Sequence, residues 1–278
     1  MSSKSQTIGL KRNTIDKYYT SPSVVTKCIQ NLKENIVISN NDLLIEPSAG
    51  NGSFINDLLS ISCNCFFYDI KPEHPLIKEQ DYLEFDVNTF KNQTNKIHVI
   101  GNPPFGRQSS LAIKFIKKSA TFCDYISFIL PKSFKKKSMQ KYFPLDFHLL
   151  FETDIQENGF LVDNNPYNVS CVFQIWEKRN EKREPDIKNL PIGFSFVKKN
   201  ENPDIAFRRV GVYAGKIYNQ DIINKSEQSH YFIKFDKKIS ESLYEKLNTI
   251  NFDTKNDTVG PKSISKQELI VKYNTVTF

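Results

Sequence analysis

Two short apolar runs, each ending in an unusual turn, constrain the fold of this chain more than any other feature. The first, Asp42-Leu43-Leu44-Ile45, leads into Glu46-Pro47-Ser48-Ala49-Gly50-Asn51-Gly52-Ser53-Phe54. The second, Ile97-His98-Val99-Ile100, leads into Asn102-Pro103-Pro104-Phe105. Apolar runs of this length, closed by glycine or proline, read as buried strands. Residues 65–68, 125–130 and 169–176 give further strand signals. Helix signals fall between them. Pro22 suits the first turn of a helix over residues 23–32, where Val24, Val25, Cys28, Ile29 and Leu32 recur at helical spacing. Residues 54–59 and 111–119 read the same way. Such alternation predicts an α/β fold, a mostly parallel sheet with helices on both faces.

A densely charged stretch, residues 177–185, ends in proline and reads as a linker. Beyond it, residues 192–198, 205–213 and 230–235 look like strands, and 240–247 like a helix. The expected division is a flexible N-terminus over 1–13, a main unit over 14–178 and a smaller β-rich unit over 179–278. The 278 residues carry a net charge of +7, unevenly spread. Residues 179–278 hold 18 Lys and Arg against 13 Asp and Glu, whereas residues 1–178 hold 20 against 18. A basic surplus favours a polyanionic partner. No run is apolar enough to span a membrane, and residues 1–13 are polar and basic. An intracellular location, cytoplasmic or nuclear rather than secreted, is expected. The five cysteines are odd in number and lie mostly in apolar runs, so reduced structural thiols are expected and no metal site.

The turn over residues 46–52 joins a strand to a helix. Glycine there lets the backbone take positive φ and pass close to a ligand. The third glycine of a dinucleotide fingerprint is missing. Asp69 closes the next strand, where a carboxylate can accept hydrogen bonds from a ribose diol or stay a solvated loop residue. Asp81, followed by Tyr82, can accept from an adenine amino group, and Asp86 competes for that role. In Asn102-Pro103-Pro104-Phe105, the Asn102 side-chain oxygen and the Pro103 carbonyl can each accept one hydrogen of a planar amine. Proline fixes φ and holds such acceptors in place. Phe105 can stack on a base.

These residues resemble the N6-adenine-specific methyltransferases, a branch of the class I S-adenosylmethionine-dependent enzymes, across roughly residues 15–176. Asp16-Lys17-Tyr18-Tyr19-Thr20-Ser21-Pro22 resembles the N-terminal motif that closes over the methionine part of the cofactor. Glu46 through Phe54 resembles the cofactor loop, and Asn102 to Phe105 the catalytic motif. The resemblance implies a Rossmann-like seven-stranded sheet ending in a hairpin, with the motifs in the gamma order. It implies S-adenosylmethionine as cofactor. Tyr18, Tyr19, Thr20, Pro22, Glu46, Pro47, Ser48, Ala49, Gly50, Gly52, Asp69, Asp81, Tyr82 and Asn102 would hold it. Asn102, Pro103, Pro104 and Phe105 would be catalytic. The substrate would be an adenine in DNA, flipped out of its stack, with a restriction-modification setting as one context and a partner subunit or a homodimer as its assembly.

Lys132, Lys135, Lys136, Lys137 and Lys141 follow a late strand and can neutralise phosphates or form a solvated face. Phe160 and Tyr167 stand where the family often places a second aromatic against the base, and either can instead be core. Arg208 and Arg209, with Lys216, flank Val210-Gly211-Val212-Tyr213-Ala214-Gly215, which is a phosphate or base reader or an ordinary turn. RNA methylation, methylation of a protein glutamine and an inactive nucleic-acid-binding subunit stay open beside the DNA reading.

Overall fold

The computed structural model describes residues 18–90 and 95–276. The N-terminal segment 1–13 expected to be flexible, and Asp16 and Lys17, lie outside the described residues. The elements run, in chain order, β1 (Tyr19–Thr20), α1 (Pro22–Asn35), β2 (Leu43–Glu46), α2 (Ile55–Leu59), β3 (Cys65–Asp69), β4 (Ile77–Glu79), β5 (Ile97–Gly101), α3 (Ser110–Ser119), β6 (Tyr125–Pro131), α4 (Lys137–Gln140) and β7 (Phe147–Asp154). They continue with β8 (Phe160–Val162), β9 (Asn165–Tyr167), β10 (Cys171–Lys178), β11 (Phe194–Val197), β12 (Ile205–Arg208), β13 (Ile217–Tyr218), β14 (His230–Phe235), α5 (Glu241–Thr249) and α6 (Lys266–Asn274).

Seven strands form one sheet in the order β4-β3-β2-β5-β6-β10-β7. The pairs from β4 to β6 are parallel, and β10 runs antiparallel to both β6 and β7. This is a mostly parallel, Rossmann-like sheet with a reversed strand near one edge. The apolar runs are continuous because both faces of the sheet are covered. Leu43, Ile45 and Val99 pack with Ala112, Phe115 and Ile116 of α3 on one side. Leu44 and Ile100 pack with Val25, Cys28, Ile29 and Leu32 of α1 on the other. Successive residues of each strand thus serve opposite cores.

β1 is separate from this sheet. It pairs with β8, which pairs with β9, and a two-residue turn at Asp163 and Asn164 joins the hairpin. Both turn residues have positive φ, 49° and 61°, as a tight hairpin with right-handed strand twist demands. The linker expected over 177–185 begins later, because Glu177 and Lys178 finish β10. It is also clasped. Arg183 donates to the carbonyls of Phe143, Pro144 and Phe147 and lies 5.1 Å from the Trp176 ring centre. Beyond it, a four-stranded antiparallel sheet in the order β11-β14-β12-β13 shares an apolar core with α5 and α6 through Phe207, Ile233, Leu247, Leu269 and Tyr273. No helix among the described residues is long and apolar enough to cross a membrane.

Candidate active site

β2 is the first strand of the large sheet, and its neighbours β3 and β5 lead the chain away in opposite directions. Ligands of open α/β sheets bind beyond the carboxyl ends of the strands at such a reversal. The turns that follow β2 and β5 are residues 46–54 and 102–105, so the two segments singled out in the sequence meet here. The Ser48 hydroxyl donates to the Asn102 carbonyl at 3.1 Å.

The glycine turn is held open and close to backbone. Gly50 and Gly52 have φ of 54° and 83°. A Cβ on Gly52 would lie 2.7 Å from Ile55 Cδ1. Asp69 fixes the turn from the adjacent strand, its Oδ2 accepting from Gly50 N and its Oδ1 from Lys71 N, both at 2.8 Å. Glu46 is 2% exposed, and its Oε2 is buried without a hydrogen-bond partner. Burial, reinforced by the nearby Asp69 carboxylate, pushes its carboxyl up to about 8. Gly101, with φ of 144°, leaves room for Glu46, whose Cγ would lie 3.1 Å from an added Cβ.

Asn102 follows immediately. Its Nδ2 donates to the Tyr18 carbonyl and to Thr20 Oγ1, each at 3.3 Å, while its Oδ1 is buried with no partner. The strap of residues 18–20 therefore orients the Asn102 side chain, more than eighty residues away in sequence. Tyr19 lies against Gly50, and its hydroxyl donates to Glu73 at 2.7 Å. Tyr18 stacks on Tyr167, ring centres 5.4 Å apart. Phe105 is half-buried between the two cores. Gly106, Gln108 and Ser109 then all take left-handed backbone, φ of 67°, 53° and 61°. For the two non-glycine residues that conformation costs of order 1–3 kcal/mol each, a kind of strain that clusters at functional sites.

Tyr18, Tyr19, Thr20, Glu46, Ser48, Gly50, Gly52, Asp69, Asn102, Phe105 and Tyr167 thus converge. Pro22 opens α1 and Ala49 is buried beneath the turn. Asp81 stays on the same rim, because Gln80 N donates to the Asp69 carbonyl, and both Asp81 and Asp86 are exposed. Most of the remaining candidate side chains are engaged elsewhere in the fold. Tyr82 is 1% exposed, stacks on Phe115 and shares a hydrogen bond with Ser119, so its side chain is core. Phe160 is likewise core at 1% exposure, and its backbone pairs with Thr20. Lys132 and Lys135 both bind Asp154, at 2.8 and 3.0 Å. Lys136 turns to the Ser263 carbonyl at 2.8 Å and Glu268 at 3.4 Å, leaving Lys137 and Lys141 as the exposed lysines of that cluster. Arg208 donates to Val210 O and Ser229, and Arg209 to Gln228 O. Intramolecular acceptors therefore occupy both arginines. Glu73 had no signal in the sequence. Cavities of about 610 and 210 Å³ lie in the C-terminal part of the chain, away from this site.

No family model matches the chain. Over 130 residues it is 29% identical to the ribosomal RNA small subunit methyltransferase A of Francisella tularensis subsp. novicida (strain U112), covering 41% of this chain and 47% of that one. The chain thus spans about half the length of the curated relatives it matches. Among solved structures, the 23S rRNA methyltransferase ErmE aligns over 61% of this chain and 72% of its own, with 12% identity and a TM-score of 0.43. A chain described as the modification subunit of a type I restriction enzyme from Vibrio vulnificus YJ016 aligns over 84% and 62%, with 13% identity and a TM-score of 0.45.

Proposed function

We propose that this chain transfers a methyl group from S-adenosylmethionine to an exocyclic amino nitrogen of a nucleic-acid base, and in its most specific form to N6 of adenine in DNA. The Asn102 carboxamide carries the proposal. Its NH2 end is engaged by Tyr18 and Thr20, and its Oδ1 is buried and unpartnered. A buried acceptor left unpaired costs about 1–3 kcal/mol. An amino group of a base relieves that cost on arrival.

The residues around the glycine turn fit the cofactor by a similar observation, since Glu46 Oε2 is also buried without a partner. Glu46, Ser48, Gly50, Gly52 and Asp69 would hold it, with Tyr18, Tyr19 and Thr20 closing from the strap. When bound, S-adenosylmethionine supplies an electrophilic methyl group on a positively charged sulfur. The chain's own task is to prepare the amine. A base amino nitrogen shares its lone pair with the ring and is a poor nucleophile. Asn102 Oδ1 accepts one amino hydrogen and the Pro103 carbonyl the other, which draws the nitrogen toward tetrahedral geometry. Pro103 and Pro104 fix the backbone that holds these acceptors. Phe105 offers a ring face to the base, and Tyr167 a second aromatic beside the strap. The amine becomes acidic only after methylation, so no side chain has to remove a proton before attack. A paired base must first leave its stack, at a cost of a few kcal/mol. Residues 14–178 form the transfer unit in this scheme, and residues 179–278 bind the nucleic acid.

One observation favours RNA as the polymer, because the curated relatives matched over 130 residues are ribosomal RNA methyltransferases. Incubating the pure chain with labelled cofactor and competing DNA and RNA pools, followed by mass spectrometry of the modified nucleoside, separates the two. Asn102→Ala is expected to lower methyl transfer by about 10²-fold or more while cofactor binding, measured by calorimetry, is kept. Near-normal turnover in that variant would refute the assignment.

A further inference from the structure

Between β12 and β13 the chain makes a tightly anchored loop that presents apolar groups to solvent. Arg208 Nε donates to Val210 O at 2.8 Å, and Gly211 N donates to Lys262 O at 2.9 Å. Gly215 N returns to Arg208 O at 2.8 Å. Gly211 and Gly215 have φ of 99° and 102°, which lets the chain reverse at both ends of the tip. At that tip Val212 is 81% and Tyr213 65% exposed. Neither side chain is buried in the free protein.

The surroundings define what the tip meets. Lys216 Nζ lies 5.9 Å from the Tyr213 ring centre and 5.2 Å from that of Tyr218, and Lys225 Nζ lies 4.4 Å from Tyr218. Aromatic and cation alternate along one strip. Asp221 offsets one of these charges, pairing with Lys225 at 3.4 Å, while Lys216 is exposed. The loop is also tied to the rim of the large sheet that carries Asn102. Val210 pairs with Ser263, whose carbonyl accepts from Lys136, a few residues past the carboxyl end of β6.

We propose that Tyr213, Lys216, Tyr218 and Lys225 form a track for an unpaired stretch of nucleic acid, with bases stacking on the Tyr213 ring and phosphates on Lys216. Stacking on aromatics with cations spaced between them is how proteins hold single strands with little sequence preference. The alternating ring and cation pattern, inside the last hundred residues, which carry most of the positive surplus, favours this polymer over a protein partner. The track rests on the methyl-transfer proposal only for the expectation that nucleic acid is the polyanion, and its test requires neither cofactor nor turnover.

Fluorescence anisotropy with labelled mixed-sequence single-stranded DNA and RNA, across a salt series, measures it. Tyr213→Ala is expected to weaken binding by about 5- to 150-fold, the range of one lost base stack, and Tyr213→Phe to keep it. Lys216→Ala is expected to lower the slope of log affinity against log salt by about one. An oligonucleotide carrying 5-iodouracil is expected to photocross-link to Tyr213. The proposal is overturned if the wild-type chain binds neither polymer or if Tyr213→Ala binds as tightly as wild type. It is equally overturned if the phenylalanine variant is as weak as alanine or if the salt slope of Lys216→Ala is unchanged. A chain that binds through this strip yet methylates nothing would sink the methyl-transfer proposal and leave the track standing. Tyr213 is mostly exposed, and a melting curve for each variant confirms that the fold is intact.

Discussion

Thr20→Val separates two tasks open to the strap. Thr20 is 4% exposed, and its hydroxyl oxygen accepts one of the two Asn102 amide hydrogens at 3.3 Å. Valine preserves the shape and removes the acceptor. The Tyr18 carbonyl still takes the other hydrogen, so the amide keeps one anchor of two. Both contacts are long, and a neutral hydrogen bond contributes about 0.5–1.5 kcal/mol net. A loss of that size in aiming Oδ1 at the substrate corresponds to a fall of about 2- to 12-fold in kcat. KM for the cofactor is expected to stay constant, since Thr20 acts in this account through Asn102. Thr20→Ser restores the oxygen and is expected to recover kcat. Steady-state methyl-transfer kinetics on the three proteins, with calorimetric titration of the cofactor, reads this directly. If valine raises the cofactor KM and weakens calorimetric binding while kcat holds, Thr20 contacts the cofactor, as the family resemblance implies, and the orienting account fails.

Further expectations concern the site and its supports. Glu46 titrates at about 8 in the fold, above the ordinary carboxyl value of 4.5, so the folded state favours its neutral form. The stability it contributes is complete below the unfolded value and is lost as pH rises toward 8. Thermal melts at acidic and at mildly alkaline pH should show Glu46→Gln losing less stability than wild type over that window, and parallel declines would contradict the linkage. Gly52→Ala forces a Cβ to 2.7 Å from Ile55 Cδ1 at a φ of 83°, and a large drop in calorimetric cofactor affinity is expected; unchanged affinity would remove the turn from the binding site. Lys136→Ala removes a charged hydrogen bond to Ser263 O, worth about 1.5–3 kcal/mol, and an ion pair with Glu268. It should lower the melting temperature by several degrees and speed tryptic cutting in residues 179–193, and a protein as resistant as wild type would count against this tie.

The parts of the fold legible in the sequence were those whose residues face apolar cores on both sides. β2, β5 and β6 read as unbroken apolar runs because both faces of the sheet are covered. β7 was missed. Its eight residues include His148, Glu152 and Thr153, and as an edge strand it is only half-buried. The β8–β9 hairpin escaped because its strands are three residues long, although the Asp163-Asn164 turn is a usable signal. α6 carries a capping box, with Ser265 and Glu268 satisfying each other's backbone, and that spacing was readable without any structure. The meeting of the glycine turn with Asn102 followed from their places after two strands. The hold of Thr20 on Asn102 did not, since no local pattern encodes a contact that spans the domain. Tyr82 was misplaced because it adjoins Asp81, although Phe85 and Phe90 close by already marked an apolar environment. Arg208, Arg209 and Lys136 looked available as charges in one dimension, whereas the folded chain supplies carbonyl or carboxylate partners to each.

Residues 18–20 are fastened by β8, which the ribosome makes some 140 positions later. A growing polypeptide that already contains both turns, and even α3 and β6, still lacks the stitch that aims the Asn102 amide. The hold on Asn102 is therefore complete only once the β8–β9 hairpin has been synthesised and has closed on the strap. A fragment ending before Phe160 would keep the residues of both turns without that aim.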